Sequence, residues 1–379
     1  MSHHLPVLLV VIPLVAAPFA ALVNRPRVSW AIALGSAWWA FLAAFALLRQ
    51  VMADGPIHYA LGDWAAPYGI EYVVDPANAW VLLIVGMIAA VVTPYALLSI
   101  EREVPDARIP LFYAAFILCM TGLLGIAITG DVFNVFVFLE ISSLSAYALI
   151  ALGWHRRALT ASYQYLIMGS VGATFIVIGI GLLYVMTGTL NMADLAQILS
   201  QLEPNRTIPA AFTFLTVGIT LKLALFPLHL WLPNAYTYAP SAVTAFIAST
   251  ATKVAVYLLL RFFFTIFGAS FSFGEMQLDK VLMPLALVAI PNGISKSPAA
   301  VISLIARVSR VSARSSVCPG VRSGPLSIVI SQNAMPNMPI AAPEYSEAVA
   351  SNSARFGTCC TVHSDVSLSC NMFANRLAD

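Results

Sequence analysis

The sequence predicts an all-α polytopic membrane protein of about eight transmembrane helices, followed by a largely irregular C-terminal tail. Three observations predict it. First, only 9% of the 379 residues are charged and 60% are hydrophobic, with a mean hydropathy of +0.86. A soluble domain carries about 25% charged residues, so a soluble enzyme is excluded. Second, uncharged windows of about 20 residues, the length that crosses a ~30 Å hydrocarbon core, recur along the first three quarters of the chain. Third, the chain changes character near residue 290. Residues 1–290 hold 38 of the 41 aromatics and all seven tryptophans; residues 291–379 hold three aromatics, four of the five cysteines and 16 serines. The net charge of +2 is too small for an electrostatic nucleic-acid binder. The cysteines are too few for a disulfide framework.

The first four spans, 5–23, 28–48, 77–99 and 109–128, contain no formal charge. The first is not read as a cleaved signal, because it has no basic leader and further spans follow it. The fifth, 132–152, carries one acid, Glu140, and the sixth, 162–186, is uncharged. The seventh and eighth, 208–229 and 241–266, each hold a lysine, Lys222 and Lys253; the seventh also holds His229 and Pro227. A ninth span is expected to start near Val281. Between spans six and seven, Leu195, Ile198, Leu199 and Leu202 recur at helical spacing behind Asn191, which can cap a short interfacial helix.

Arginines set the orientation. Arg25 and Arg27, Arg102 and Arg108, and Arg156 and Arg157 all fall in loops that follow odd-numbered spans. The alternate loop at 49–76 has one arginine against Asp54, Asp63, Glu71 and Asp75. The positive-inside rule puts the basic loops in the cytoplasm and the N-terminus outside, in a cell inner (plasma) membrane.

The tail has little periodicity and cannot bury enough apolar area to offset chain entropy. It reads either as a disordered regulatory tail or as sequence beyond a lost coding frame.

The chemistry lies in the charges that the spans enclose. Such a charge costs about 2.5–3.5 kcal/mol on insertion scales, so it must be paired, hydrated or turned toward other helices. Glu140 lies nine residues past Asp131, ~13 Å along a helix and near mid-membrane. Ser143 and Tyr147 share its face at i+3 and i+7. Lys222 precedes Pro227, whose missing N–H leaves the Leu223 carbonyl without a helical partner. A broken helix beside an ionisable group marks transport pathways. Ser249 and Tyr257 flank Lys253 at i−4 and i+4, and His229 lies between the two lysines in sequence. Burial disfavours a charged lysine and a nearby carboxylate favours it, so changing the spacing of the pair shifts a proton. A hydrated Glu–Lys–His–Lys chain is therefore the expected proton path. No metal or cofactor is expected: no span holds a CxxC, His229 is the only histidine in a span, and Cys359-Cys360 lack partners at zinc spacing.

The run Phe226-Pro-Leu-His-Leu-Trp-Leu-Pro-Asn-Ala-Tyr-Thr-Tyr-Ala-Pro-Ser241 resembles the antiporter-like proton-translocating membrane subunits of respiratory complex I and of Mrp-type cation/proton antiporters. So do Thr252-Lys-Val-Ala-Val-Tyr257 with Leu260-Arg261, Phe138-Leu-Glu-Ile-Ser-Ser-Leu144 and Thr187-Gly-Thr-Leu-Asn-Met-Ala-Asp-Leu195. The order and separations of Glu140, Lys222 and Lys253 look most like the D-type Mrp subunit. The resemblance implies a 14-helix fold with two inverted five-helix repeats, each with a broken helix. It implies an input pair of Glu140 and Lys222, with Lys253 as the central relay. It also implies other membrane subunits as partners, and proton movement coupled to sodium exchange or to electron transfer in other subunits. On this reading residues 1–100 form a three-helix segment, 101–270 the first repeat, and 271–379 an aberrant tail in which the second repeat is missing. Three readings follow: a Mrp-type sodium/proton antiporter subunit, incomplete as it stands; a proton-pumping subunit of a complex I-like or hydrogenase-linked assembly; or an inactive structural fragment.

Overall fold

A computed structural model describes residues 4–23, 25–203 and 205–289. The expected tail from residue 290 onward lies outside the described residues. Helices α1 (Leu5–Leu22), α2 (Pro26–Asp54), α3 (Pro76–Glu103), α4 (Ile109–Ile128), α5 (Val132–Ala151) and α6 (Arg156–Thr187) follow in order. A short α7 (Met192–Leu199) leads to α8 (Thr207–Leu223), α9 (Trp231–Tyr238), α10 (Ser241–Leu260) and α11 (Leu278–Ala289). Helices α1, α2, α3 and α4 each carry proline in the first turn, where the missing N–H costs no hydrogen bond. Asp75 and Asn78 form a capping box on α3, Asp131 caps α5 and Asn191 caps α7, as its position predicted. Burial pushes the Asp131 carboxyl up from its ordinary range, and the backbone N–H groups of Asn134 and Phe133 oppose this.

Among the described residues, seven helices are long and apolar enough to cross a membrane. They agree with the predicted spans except at 208–229. There α8 stops at Leu223 after 17 residues, and α9 is a separate element. At the far end of α10 the backbone widens into two π-helical turns, Arg261–Ile266 and Ser270–Glu275, before α11 begins. Helical structure thus continues past residue 271, where the irregular tail was expected to begin, and α11 occupies the place of the expected ninth span.

α4 is the central helix, with 83% of its span buried, packed against α1, α2, α3, α5 and α10. It admits α5 closely because Gly122 and Gly125 have no side chain. A Cβ on Gly122 would lie 2.6 Å from the Ser142 nitrogen, and one on Gly125 would lie 2.3 Å from the Phe138 ring.

The connections sort to two ends. At one, strands β1 (Ile57–Ala60) and β2 (Glu71–Val74) pair antiparallel, and Tyr72 bridges to Thr129 while Asp131 bridges to Asn191. Asn191 Nδ2 donates to Glu71 at 3.0 Å. At the other end, the Ser241 N–H donates to Glu103 at 2.7 Å and Arg157 donates to the Tyr238 hydroxyl at 3.2 Å. The loops with paired arginines share this second end, which is the alternation their charges predicted.

Candidate functional site

The end of α8 builds the site. Its last turn closes with the Leu225 N–H on the Thr220 carbonyl at 3.0 Å and the Ala224 N–H on the Leu221 carbonyl at 3.2 Å. This is a Schellman ending, in which one residue must adopt a left-handed conformation. Ala224 does so, with φ +58°. The break therefore falls three residues before Pro227, and Ala224 makes it. Pro227 lies in the linking turn and keeps the chain from resuming the helix. The Trp231 indole N–H reaches back from α9 to the Leu221 carbonyl at 3.2 Å, holding the two half-helices together.

Lys222 is the penultimate residue of α8 and is buried. The helix C-terminus carries a partial negative charge, which favours a cation there. Its Nζ donates to Ser143 Oγ at 2.8 Å and to Glu140 Oε1 at 3.3 Å, both on α5. Glu140 retains 27% side-chain exposure against 5% for Lys222, so the carboxylate stands at the rim and the ammonium inside. The structure brings Glu140 and Lys222 into contact. Ser143 serves the lysine rather than the glutamate.

Beside Lys222 lies a cavity of about 30 Å³ lined by Ser142, Ser143 and Tyr165, closed by apolar residues of α4 and α10. That is room for two or three waters, at about 10–15 Å³ each. α10 turns Ala251, Val254, Ala255 and Leu258 toward the cavity.

Lys253 is not part of this cluster. It is exposed on another side of α10, and its Nζ donates to the Ala248 carbonyl. Its expected neighbours do not join it. The Ser249 hydroxyl bonds back to Ala245 and Phe246, and the Tyr257 hydroxyl is buried against the Ala127 carbonyl at 3.1 Å. His229 sits half-buried in the break, against the Phe226 ring. Its Nδ1 is buried with no hydrogen-bond partner among the described residues.

Tyr165 is not flagged by sequence reasoning, and Trp231 and Arg261 enter it only within the family-like runs. Trp231 stacks flat on Tyr165, centroids 4.0 Å apart, and Tyr165 meets Tyr147 edge-on at 4.6 Å. Arg261 Nε donates to the Tyr257 hydroxyl at 2.7 Å and its NH2 group pairs with Asp75, tying the far end of α10 to the cap of α3. A charged residue closing a long apolar run was the available signal for Arg261. For Tyr165, one aromatic among many, there was none.

Fold and site together define a multi-pass helical membrane protein with a buried acid–base pair at a helix break. Residues 129–290 match the family described as "NADH:quinone oxidoreductase/Mrp antiporter, TM". Glu140, Lys222, His229 and Lys253 all lie in this stretch. It is 43% identical over 274 residues to NADH-quinone oxidoreductase subunit N of Desulforudis audaxviator, covering 71% of this chain and 54% of that protein. It is 32% identical over 227 residues to the D-type Na(+)/H(+) antiporter subunit of Alkalihalophilus pseudofirmus, covering 60% and 45%. The chain thus spans about half the length of these curated relatives. Among solved structures it resembles a chain of the membrane-bound sulfane sulfur reductase, an archaeal respiratory membrane complex. The TM-score is 0.69 at 28% identity, over 75% of this chain and 57% of that one. It also resembles a chain of the Mrp complex from Dietzia sp., with a TM-score of 0.63 at 26% identity, over 70% and 49%.

Proposed function

We propose that this chain is a proton-translocating membrane subunit of a multisubunit complex, with Glu140 and Lys222 as its input pair. The observation that carries this reading is the buried Lys222–Glu140 contact at 3.3 Å, beside a water-sized cavity at the end of a broken helix. At that distance and an effective dielectric of ~20 the attraction is about 5 kcal/mol, before solvent screening at Glu140 reduces it. Ionised Glu140 holds the Lys222 ammonium in place. When Glu140 is protonated or drawn away, that support goes, and the lysine proton passes to water in the cavity. Lys253 acts as the next relay, as the family resemblance implies, and His229 acts as the carrier in the break, where its Nδ1 is buried without a partner among the described residues. Lys253 needs a neighbouring segment over the exposed side of α10, because an intramembrane lysine is not left to lipid.

The protein sits in the plasma membrane with its N-terminus outside. Its partners are the other membrane subunits of its complex, and its transported ions are protons and, in the Mrp-type reading, sodium. The spacing of Glu140, Lys222 and Lys253 favours a Mrp-type sodium/proton antiporter. The 43% identity to a NADH-quinone oxidoreductase subunit favours a complex I-like assembly instead.

The test uses everted vesicles carrying the assembled complex, with a pH-sensitive dye. Glu140→Gln and Lys222→Met are each expected to lower driven proton movement at least about tenfold at unchanged membrane abundance. Wild-type flux in either variant removes that residue from the path. Background flux in the assembled wild-type complex supports the inactive-fragment reading instead. A sodium requirement separates the antiporter from the electron-driven pump.

A further inference from the structure

We propose that Tyr236, Tyr165 and Tyr147, bridged by buried water, form the proton inlet to Lys222 from the end of the bundle that bears the basic loops. This rests on the input-pair reading above and extends it to residues which that reading does not use.

At that end an open cleft of about 290 Å³ is lined by Arg157, Thr160, Gln164, Asn234 and Tyr238. Tyr165 follows Gln164 on α6 but points inward, and it lines the cavity beside Lys222 and Ser143. Its ring meets that of Tyr147 edge-on at 4.6 Å, and Tyr236 belongs to α9, which also gives Asn234 and Tyr238 to the cleft. The Tyr236 hydroxyl is buried with no hydrogen-bond partner among the described residues. The buried Tyr147 hydroxyl lies beside Ser143, which accepts from Lys222. A buried hydroxyl without a partner is costly, and phenylalanine would pack in the same place without that cost. Bound water resolves it, since buried waters sit where otherwise unsatisfied polar groups face a polar space. The backbone makes room for the arrangement: a Cβ on Gly169 would lie 1.8 Å from the Tyr147 oxygen. The stack of Tyr147, Tyr165 and Trp231 fixes the ring positions, and Trp231 is itself tied to the Leu221 carbonyl one residue before Lys222.

The transfer is a hydrogen-bond exchange. Water in the cleft places a proton on a lone pair of a tyrosine hydroxyl. That hydroxyl gives its own proton to the next oxygen, ends neutral and turns back. The proton reaches the cavity water and then the Lys222 nitrogen or the Glu140 carboxylate. No bond other than O–H and N–H changes, and no oxidant or reductant is needed.

The test again uses the full chain in its assembled complex. Tyr147→Phe, Tyr165→Phe and Tyr236→Phe remove one oxygen each and keep the ring stack. Each is expected to cut proton flux at least about fivefold with an unchanged thermal midpoint, while Tyr184→Phe, on the exposed side of α6, leaves flux unchanged. Wild-type flux in all three inlet variants, with flux lost in Glu140→Gln, overturns the inlet and keeps the pair. Wild-type flux in Glu140→Gln removes both. Radiolytic hydroxyl labelling of the unmutated protein gives a second reading independent of folding. Tyr147, Tyr165 and Tyr236 should label faster than the buried Tyr113, because bound water sits beside them. Labelling no faster than Tyr113 overturns the proposal.

Discussion

Ala224 carries a conformation that suits glycine. At φ +58° its Cβ crowds the backbone, at roughly 1–2 kcal/mol for an L-residue. Ala224→Gly is therefore expected to raise thermal stability in detergent by about 1 kcal/mol. Ala224→Val is expected to lower it by more than that, because a β-branched side chain is poorly tolerated there and the site is buried. Equal melting midpoints for the two variants would show that the α8 ending does not depend on this residue. The same ending sets the chemistry next door. It places Lys222 where the last carbonyls of α8 favour a cation and where Ser143 takes one of its protons in a hydrogen bond. A lysine one turn earlier would lose the first of these.

At the scale of elements, the approach of α6 to α8 governs how far Lys222 reaches. The two helices meet through Gly172 and Gly218: a Cβ on Gly218 would lie 2.6 Å from Ile176 Cγ1 and 2.7 Å from the Gly172 carbonyl oxygen. Gly218→Ala must push the helices apart and is expected to cost about 1–3 kcal/mol, read as a lower melting midpoint. Gly181→Ala, with nothing within 4 Å of the added methyl, is the comparison. It is expected to be neutral or stabilising by up to about 1 kcal/mol, through helix propensity alone. α10 is held differently. Arg261 on Asp75 and Tyr257 on the Ala127 carbonyl fix its far end, and Ser241 on Glu103 fixes its start. These anchors fix which side of α10 faces the cavity, and that side is not the one with Lys253.

At the scale of the whole molecule, the two ends differ in charge and in build. The end with the β-hairpin is expected outside and the end with the paired arginines inside. In a chain cleared of its own cysteines, Ala65→Cys should react with an impermeant maleimide on intact cells. Asp106→Cys should react only after permeabilisation. The reverse pattern would invert the topology. Lys253 belongs to this scale too. Exposed in the chain itself, it is expected to matter only once a neighbouring segment covers α10. Lys253→Ala should therefore leave the melting midpoint of the isolated chain unchanged and reduce flux in the assembled complex. A destabilised isolated chain would instead assign Lys253 to the fold.

Long uncharged runs reveal spans because hydrocarbon admits little else, and paired arginines in alternate loops mark loops that share one end of the bundle. The positions of Glu140 and Lys222 revealed that each charge had to be paired, hydrated or turned toward other helices, because the cost of an isolated charge in lipid does not depend on the details of packing. Where α8 ends was not legible in this way. Proline predicts a break nearby, but the residue that turns is chosen by which carbonyls find donors, and Trp231 supplies one from another helix. Nor could helical spacing tell which side of α10 faces inward. Lys253, Ser249 and Tyr257 recur at i±4, yet packing buries Tyr257, leaves Lys253 outside and bonds Ser249 to its own helix. Chain composition thus determined the solvent, most of the crossings and the need to shelter the charges they enclose. Only tertiary contact decided the partners, because a hydrogen bond is satisfied by whichever group the packing brings within reach.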